Sequence, residues 1–270
     1  MVVPADSGIR IGGDTPLTPP AAGVTSSDVP LPGLRYGEPR GRRVLAATVL
    51  GSAIAQIDGT ITNIAIPTIG RDLHAGLHSL TWVLNAYTLT LASLILIGGS
   101  LGDRIGRRRV FTIGVLWFAT ASLICAAAPT IETLVAARAL QGIGGALLIP
   151  GSLALIQASF RATDRARAVG AWSGLGGVAG AVASFLGGWL LGAGSRRWIF
   201  VVNVPVAALV LLAARHIPES SNELSNVNLD VPGTVLGALG LGGITLGLSS
   251  WSSGSFPSFF QWIRYSASLP

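Results

Sequence analysis

The sequence contains no lysine; all 18 of its basic residues are arginine. Its single cysteine, Cys125, lies inside an apolar stretch, so no intrachain disulfide can form. Charged residues make up only 11% of the 270, too few to cover a soluble domain, whereas half of the residues are hydrophobic. No nucleophile stands beside a general base and no carboxylates are paired for acid–base work, so enzymatic chemistry has no support. His74 and His78 are four apart but lack a carboxylate or thiol partner, which argues against a metal site, and no cofactor is implied. Gly174-x-Gly176-x-x-Ala179 has the outline of a dinucleotide loop, yet it lies in an apolar span with no strand before it. The formal charge of +6 belongs to the segments between apolar stretches and is not a nucleic-acid footprint.

What the sequence has instead is long apolar runs. A helix needs about 20 apolar residues to cross a bilayer core of ~30 Å. Seven stretches qualify: Val44–Ile66, Leu80–Leu101, Val110–Ala128, Thr133–Ile156, Ala168–Leu191, Trp198–Ala214 and Val231–Ser250. The expected fold class is therefore all-α, a polytopic membrane bundle. Residues 1–43 are rich in Pro, Gly, Ser and Thr and predict a disordered cytoplasmic tail. A six-helix unit over 44–214, a cytoplasmic loop over 215–230, a seventh span over 231–250 and an interfacial or disordered tail over 251–270 follow.

Arginine placement orients such a chain. With the N-terminus in the cytoplasm, Arg35, Arg40, Arg42, Arg43, Arg104, Arg107, Arg108, Arg109, Arg161, Arg165, Arg167 and Arg215 face inward, and only Arg71, Arg196 and Arg197 face outward. The expected location is the cell membrane, multi-pass, with the lipid bilayer as a partner. The Arg196–Arg197 pair is an exception that the sequence does not explain.

Two charges lie within the spans. Asp58 sits in the first, and Arg138 in the fourth, with Gln141 three residues on and so on the same face. A carboxylate at that depth costs about 2.5–3.5 kcal/mol on insertion scales unless it meets a cavity or a partner. At ~1.5 Å of rise per residue, Asp58 lies about 9 Å and Arg138 roughly 8 Å from the outer edge, on helices running in opposite directions. If their faces meet, they can pair directly or through water; a structural ion pair is the alternative to a functional site. On the fifth span Gly170, Gly174, Gly177, Ala181, Ser184 and Gly188 recur every three or four positions, a stripe that predicts close helix packing. Between the second and third spans, Gly102 and Gly106 bracket Asp103 and Arg104 and permit a tight turn, while Asp103 can cap a helix or pair with an arginine.

These residues resemble the major facilitator superfamily, specifically its fourteen-helix drug:proton antiporter branch. Asp58-Gly59-Thr60-Ile61-Thr62-Asn63-Ile64-Ala65-Ile66-Pro67 looks like the first-helix signature of that branch. Gly102-Asp103-Arg104-Ile105-Gly106-Arg107-Arg108-Arg109 looks like the superfamily's loop signature, and Arg138-Ala139-Leu140-Gln141-Gly142-Ile143-Gly144-Gly145-Ala146 like its fourth-helix motif. Trp82 and Tyr87 sit where the second helix of these transporters usually has them. The resemblance covers about Arg42 to Ser250, an N-terminal six-helix bundle plus a seventh helix, with no C-terminal bundle. It implies export of small amphipathic drugs in exchange for protons, by alternating access. Arg138 would couple protons, Asp58, Gln141 and Asn63 would take part in coupling or border the cavity, and Asp103 with Arg104, Arg107 and Arg108 would form a latch. The fifth helix keeps Gly187-Gly188 of the antiporter pattern but has Ala183-Ser184 where the family has Gly-Pro, so it keeps a backbone hydrogen bond that proline would remove. The alternatives are a metabolite transporter of the same fold, and a non-transporting truncated product or half-module needing a partner such as the missing C-terminal half.

Overall fold

The computed structural model describes residues 33–192, 195–215, 217, 219, 232–233, 236–237, 239–240, 243–244 and 247. Among these, six helical spans are long and apolar enough to cross a membrane, and no strand is formed. They are α1 (Pro39–Asp72), α2 (Leu77–Ile105), α3 (Arg107–Ala127), α4 (Ile131–Ser159), α5 (Ala162–Gly192), and a sixth span built from α6 (Arg197–Val201) and α7 (Asn203–Ala214). The break at Val202 has a local cause. Pro205 has no N–H to give to the Val201 carbonyl.

Helix ends follow from their caps. Pro39 at the start of α1 presets helical φ where no N–H partner is needed. The Thr130 hydroxyl accepts from the Thr133 amide and opens α4. Gly106, at φ +109°, is the only residue between α2 and α3. The expected loop is thus a single glycine, and Gly102 lies inside α2.

Two expectations about the N-terminal end change. The first helix begins at Pro39 and not at Val44. Ahead of it, extended backbone docks on the α4–α5 connection: the Leu34 amide donates to the Ser159 carbonyl at 2.7 Å, and the Tyr36 amide to Asp164 Oδ2 at 3.1 Å. Order therefore reaches into the expected tail, because its amides find acceptors there. Residues 1–32 and 251–270 lie outside the described residues, as does most of 215–230. Within the expected seventh span, the described residues are helical and exposed, for example Leu236 and Ile244.

The tightest packing surrounds α4. A Cβ at Gly142 would lie 2.6 Å from the Tyr87 carbonyl of α2, and one at Gly144 would lie 2.7 Å from the Phe118 amide of α3. Pro150 leaves the Ala146 carbonyl without its helical donor, and Gly98 of α2 comes up against that carbonyl. By contrast, Gly170, Gly174, Gly177 and Gly188 of α5 have nothing within 4 Å of a Cβ position; Gly187, also expected to pack a neighbouring helix, alone of these meets a neighbour, 3.3 Å from Ile64. The first four lie on faces of α5 turned away from α1, so the expected close packing is not made within the described bundle.

Arg196, the exception in the arginine pattern, is 8% exposed. Its Nη2 donates to the Ala128 carbonyl at 2.9 Å, at the C-terminus of α3, and its Nε lies 3.7 Å from Asp72 at the C-terminus of α1. A cation at two helix C-termini opposes both dipoles, and here it also satisfies the free Ala128 carbonyl. Arg196→Ala is expected to lower unfolding stability in detergent by about 1.5–3 kcal/mol, the scale of a hydrogen bond to a charged group, while exposed Arg197→Ala changes little. Equal melting temperatures for the two variants, followed by helical circular dichroism, would contradict this assignment.

Candidate functional site

Two apolar clusters fill the bundle. One, toward the arginine-rich end, includes Ile54, Phe111, Phe118, Leu148 and Leu155; the other, toward the opposite end, includes Ile61, Ile69, Leu80, Leu134 and Phe200. Between them lies a polar cluster centred on Asp58 and Arg138, which are 0% and 1% exposed.

Arg138 Nη1 donates to Asp58 Oδ2 at 2.5 Å and to Gln141 Oε1 at 2.6 Å. Its Nε donates to the Val83 carbonyl of α2 at 3.2 Å, and its guanidinium lies over the Tyr87 ring, 4.4 Å from the centroid. The other carboxylate oxygen, Asp58 Oδ1, accepts from Gln141 Nε2 at 2.9 Å and from Asn203 Nδ2 at 2.7 Å. Ser122 of α3 accepts from both of those amides, at 2.7 Å from Gln141 and 3.1 Å from Asn203. The Cys125 thiol reaches Gln141 Oε1 at 3.6 Å. Every donor aimed at Asp58 in these contacts is an N–H, so both carboxylate oxygens serve as acceptors. Its groups come from α1, α2, α3, α4 and α7. Thr62, one turn beyond Asp58, and Asn203 Oδ1 remain buried without a hydrogen-bond partner.

Asp58, Arg138 and Gln141 are thus brought together, as equal depth and a shared face suggested. They do not line an open cavity, because neighbouring side chains seal them. Asn63 does not join them: it is exposed on another face of α1, and its amide donates to the Gly59 carbonyl at 2.9 Å. Gln56 and Asn63 are exposed on α1, with Thr60 half-buried between them at helical spacing. Polar groups turned outward midway along a membrane helix face water or another element, not lipid. On the same side, Ser52, Ala55, Gln56, Ile149, Trp172 and Ser173 line a cavity of about 340 Å³. The Trp172 indole donates to Ser52 Oγ at 2.8 Å, and Ser52 and Ser152 are hydrogen-bonded at 2.7 Å.

At the arginine-rich end, Arg107 grips Asp103 Oδ1 with Nε and Nη2, at 2.9 and 2.8 Å. The free N-terminus of α3 is capped by Glu219, whose Oε1 accepts from the Arg108 amide at 3.1 Å while Oε2 lies 3.7 Å from Arg109. Sequence reasoning missed Glu219, Ser122 and Asn203. A lone serine or asparagine in an apolar span carries no pattern, and Glu219 is 111 residues from the amide it caps.

A profile of the Major Facilitator Superfamily matches residues 48–264. The chain is 41% identical over 218 residues to the puromycin resistance protein of Streptomyces alboniger, covering 80% of this chain and 43% of that protein. It is 36% identical to the methylenomycin A resistance protein of Bacillus subtilis, with 85% and 49% covered. The chain spans about half the length of the curated relatives it matches. Among solved structures, a peptide transporter, POT, in complex with sulfate superposes with a TM-score of 0.62 at 15% identity, over 84% of this chain and 49% of that one. A bacterial homologue of the human lysosomal transporter Spinster superposes with a TM-score of 0.57 at 21% identity, over 72% and 47%. Both likenesses are of fold.

Removing one member of a buried ion pair leaves the other charge uncompensated, whereas replacing both by apolar groups is often neutral. Asp58→Ala is expected to destabilise the chain by about 3–5 kcal/mol, and Asp58→Leu combined with Arg138→Met to recover most of that loss. Chemical denaturation in micelles checks this; identical curves for the single and double variants would mean that the pair is not coupled.

Proposed function

Because this chain, a multi-pass membrane protein, belongs to the Major Facilitator Superfamily, a family of transporters and not of enzymes, we propose that it forms one half of an exporter of amphipathic drugs driven by proton exchange. The sealed Asp58–Arg138–Gln141 cluster is the observation that carries this reading. A carboxylate in a membrane interior is costly to keep, and this one is held where a proton would change its contacts. A proton added to Asp58 would set an O–H against one of the N–H donors now facing it. Arg138 or an amide would then have to turn away, loosening α1 from α4 and α7. Return of the proton would restore the tie. Rocking of this half against a second half, about a site near the membrane midplane, would convert the change into alternating access.

The cavity beside the cluster supports the substrate class. Trp172 and Ile149 offer apolar surface, while Gln56 and Ser173 offer hydrogen bonds, a combination suited to an amphipathic molecule. Both relatives named above are drug-resistance proteins. The second half would complete the cavity wall that the exposed Gln56–Thr60–Asn63 face of α1 leaves open. The open glycine faces of α5 would pack against it. The arginine bias supports a cell-membrane location with a cytoplasmic N-terminus. At that end, the Asp103–Arg107 and Glu219–Arg109 pairs would act as a latch holding α2, α3 and the segment after α7 together.

In a version carrying both halves, Asp58→Asn and Arg138→Ala are each expected to reduce pH-gradient-driven drug export to background while membrane insertion is retained. Asp103→Asn is expected to slow export severalfold with insertion intact. Dye efflux from inverted vesicles, with a collapsed proton gradient as control, measures all three; full export by either cluster variant would overturn the proton-coupling role.

A further inference from the structure

Outside the cluster, a hollow lies at the arginine-rich end, between α1 and α5. It is a groove of about 670 Å³ whose lining includes Tyr36, Arg42, Leu45, Val49, Arg167 and Leu175. Its chemistry is graded along the helices. Arg42 stands in the first turns of α1 and Arg167 in the second turn of α5, so both cations are at the mouth. Leu45 and Val49 lie one and two turns deeper on α1, and Leu175 two turns deeper on α5, an apolar depth of ~10 Å at the helical rise.

The mouth is held in shape. The Tyr36 amide is tied to Asp164, and the Arg167 guanidinium lies 4.4 Å from the centre of the Tyr36 ring. Neither Arg42 nor Arg167 has an ion-pair partner among the described residues. Two cations without an ion-pair partner among the described residues, Arg167 held against the Tyr36 ring and Arg42 exposed beside it, stand above an apolar cleft between membrane helices and match a phosphate head with hydrocarbon below it. A zwitterionic head would bring its own cation against the arginines.

We propose that this groove binds an anionic phospholipid, its phosphate between Arg42 and Arg167 and an acyl chain along Leu45, Val49 and Leu175. Only the leaflet, the inner one, depends on the orientation given under Proposed function. The lipid would fill the space between α1 and α5, the helix with least packing against the remainder of the bundle.

Native mass spectrometry of the purified full chain in neutral detergent, titrated with phosphatidylglycerol, tests this. One phosphatidylglycerol is expected to be retained under conditions that strip phosphatidylcholine. At about fivefold per arginine, the double variant R42Q/R167Q is expected to weaken retention roughly 30-fold. R40Q/R43Q, on the same helix but outside the groove lining, is expected to leave it unchanged. Val49→Trp, which fills the cleft and keeps both charges, is expected to expel the lipid; circular dichroism confirms that the variants remain helical. Equal retention of the two lipids, equal losses in the two arginine double variants, or an unaffected Val49→Trp would overturn the proposal. Displacement by inorganic phosphate would reduce the groove to a simple anion site, and lipid retained only by dimers would put a second copy of the chain there instead. Because retention requires no transport, its failure leaves the export reading standing.

Discussion

Opposite charges placed midway through a lipid-spanning bundle must find all of their hydrogen bonds inside the protein, because neither water nor lipid headgroups reach them. The Asp58–Arg138 pair meets that demand by recruiting five helices. The requirement is geometric as much as electrostatic. Arg138 reaches the Val83 carbonyl, and Gln141 reaches Ser122, only if α4 lies very close to α2 and α3. Gly142 and Gly144 permit that approach, since a methyl group at either position would collide with a neighbouring backbone. The apolar clusters on either side then exclude water and strengthen every contact between them. Stability alone does not account for such an arrangement, because apolar side chains of similar size commonly serve a core at least as well.

The architecture was legible in the sequence because the relevant signals are long and repetitive. Twenty apolar residues announce a membrane helix wherever they occur. Pairing of Asp58 with Arg138 was legible only in part: helical rise gives depth, but nothing in one sequence says which faces meet. Asn63 illustrates the gap. It belongs to the same motif as Asp58, yet five residues along a helix turn it to a different face, where it bonds its own backbone. Ser122 and Asn203 were illegible because their importance comes from the partners that tertiary packing brings to them.

Small residues also pack helices together within the described bundle at positions that the sequence pattern did not single out. The even spacing of the α5 glycines drew attention, while the glycines that bring backbones into contact within the described bundle, such as Gly98, Gly114, Gly142 and Gly144, are scattered over α2, α3 and α4. Spacing reveals that a face is smooth; it does not reveal whether anything in the same bundle covers it. Arg196 teaches a related lesson. Counting arginines treats each as an orientation signal, whereas this one is committed to the Ala128 carbonyl and to Asp72, and so lies outside that statistic.

The junction at Gly106 has a mechanical consequence. With one residue between them, α2 and α3 share a joint that has no slack. Neither span can slide along the membrane normal without dragging the other, and rotation is confined to the two dihedrals of a single glycine. A displacement begun on either span must therefore reappear in its neighbour as tilt, so the pair behaves as one bent lever and not as two independent rods.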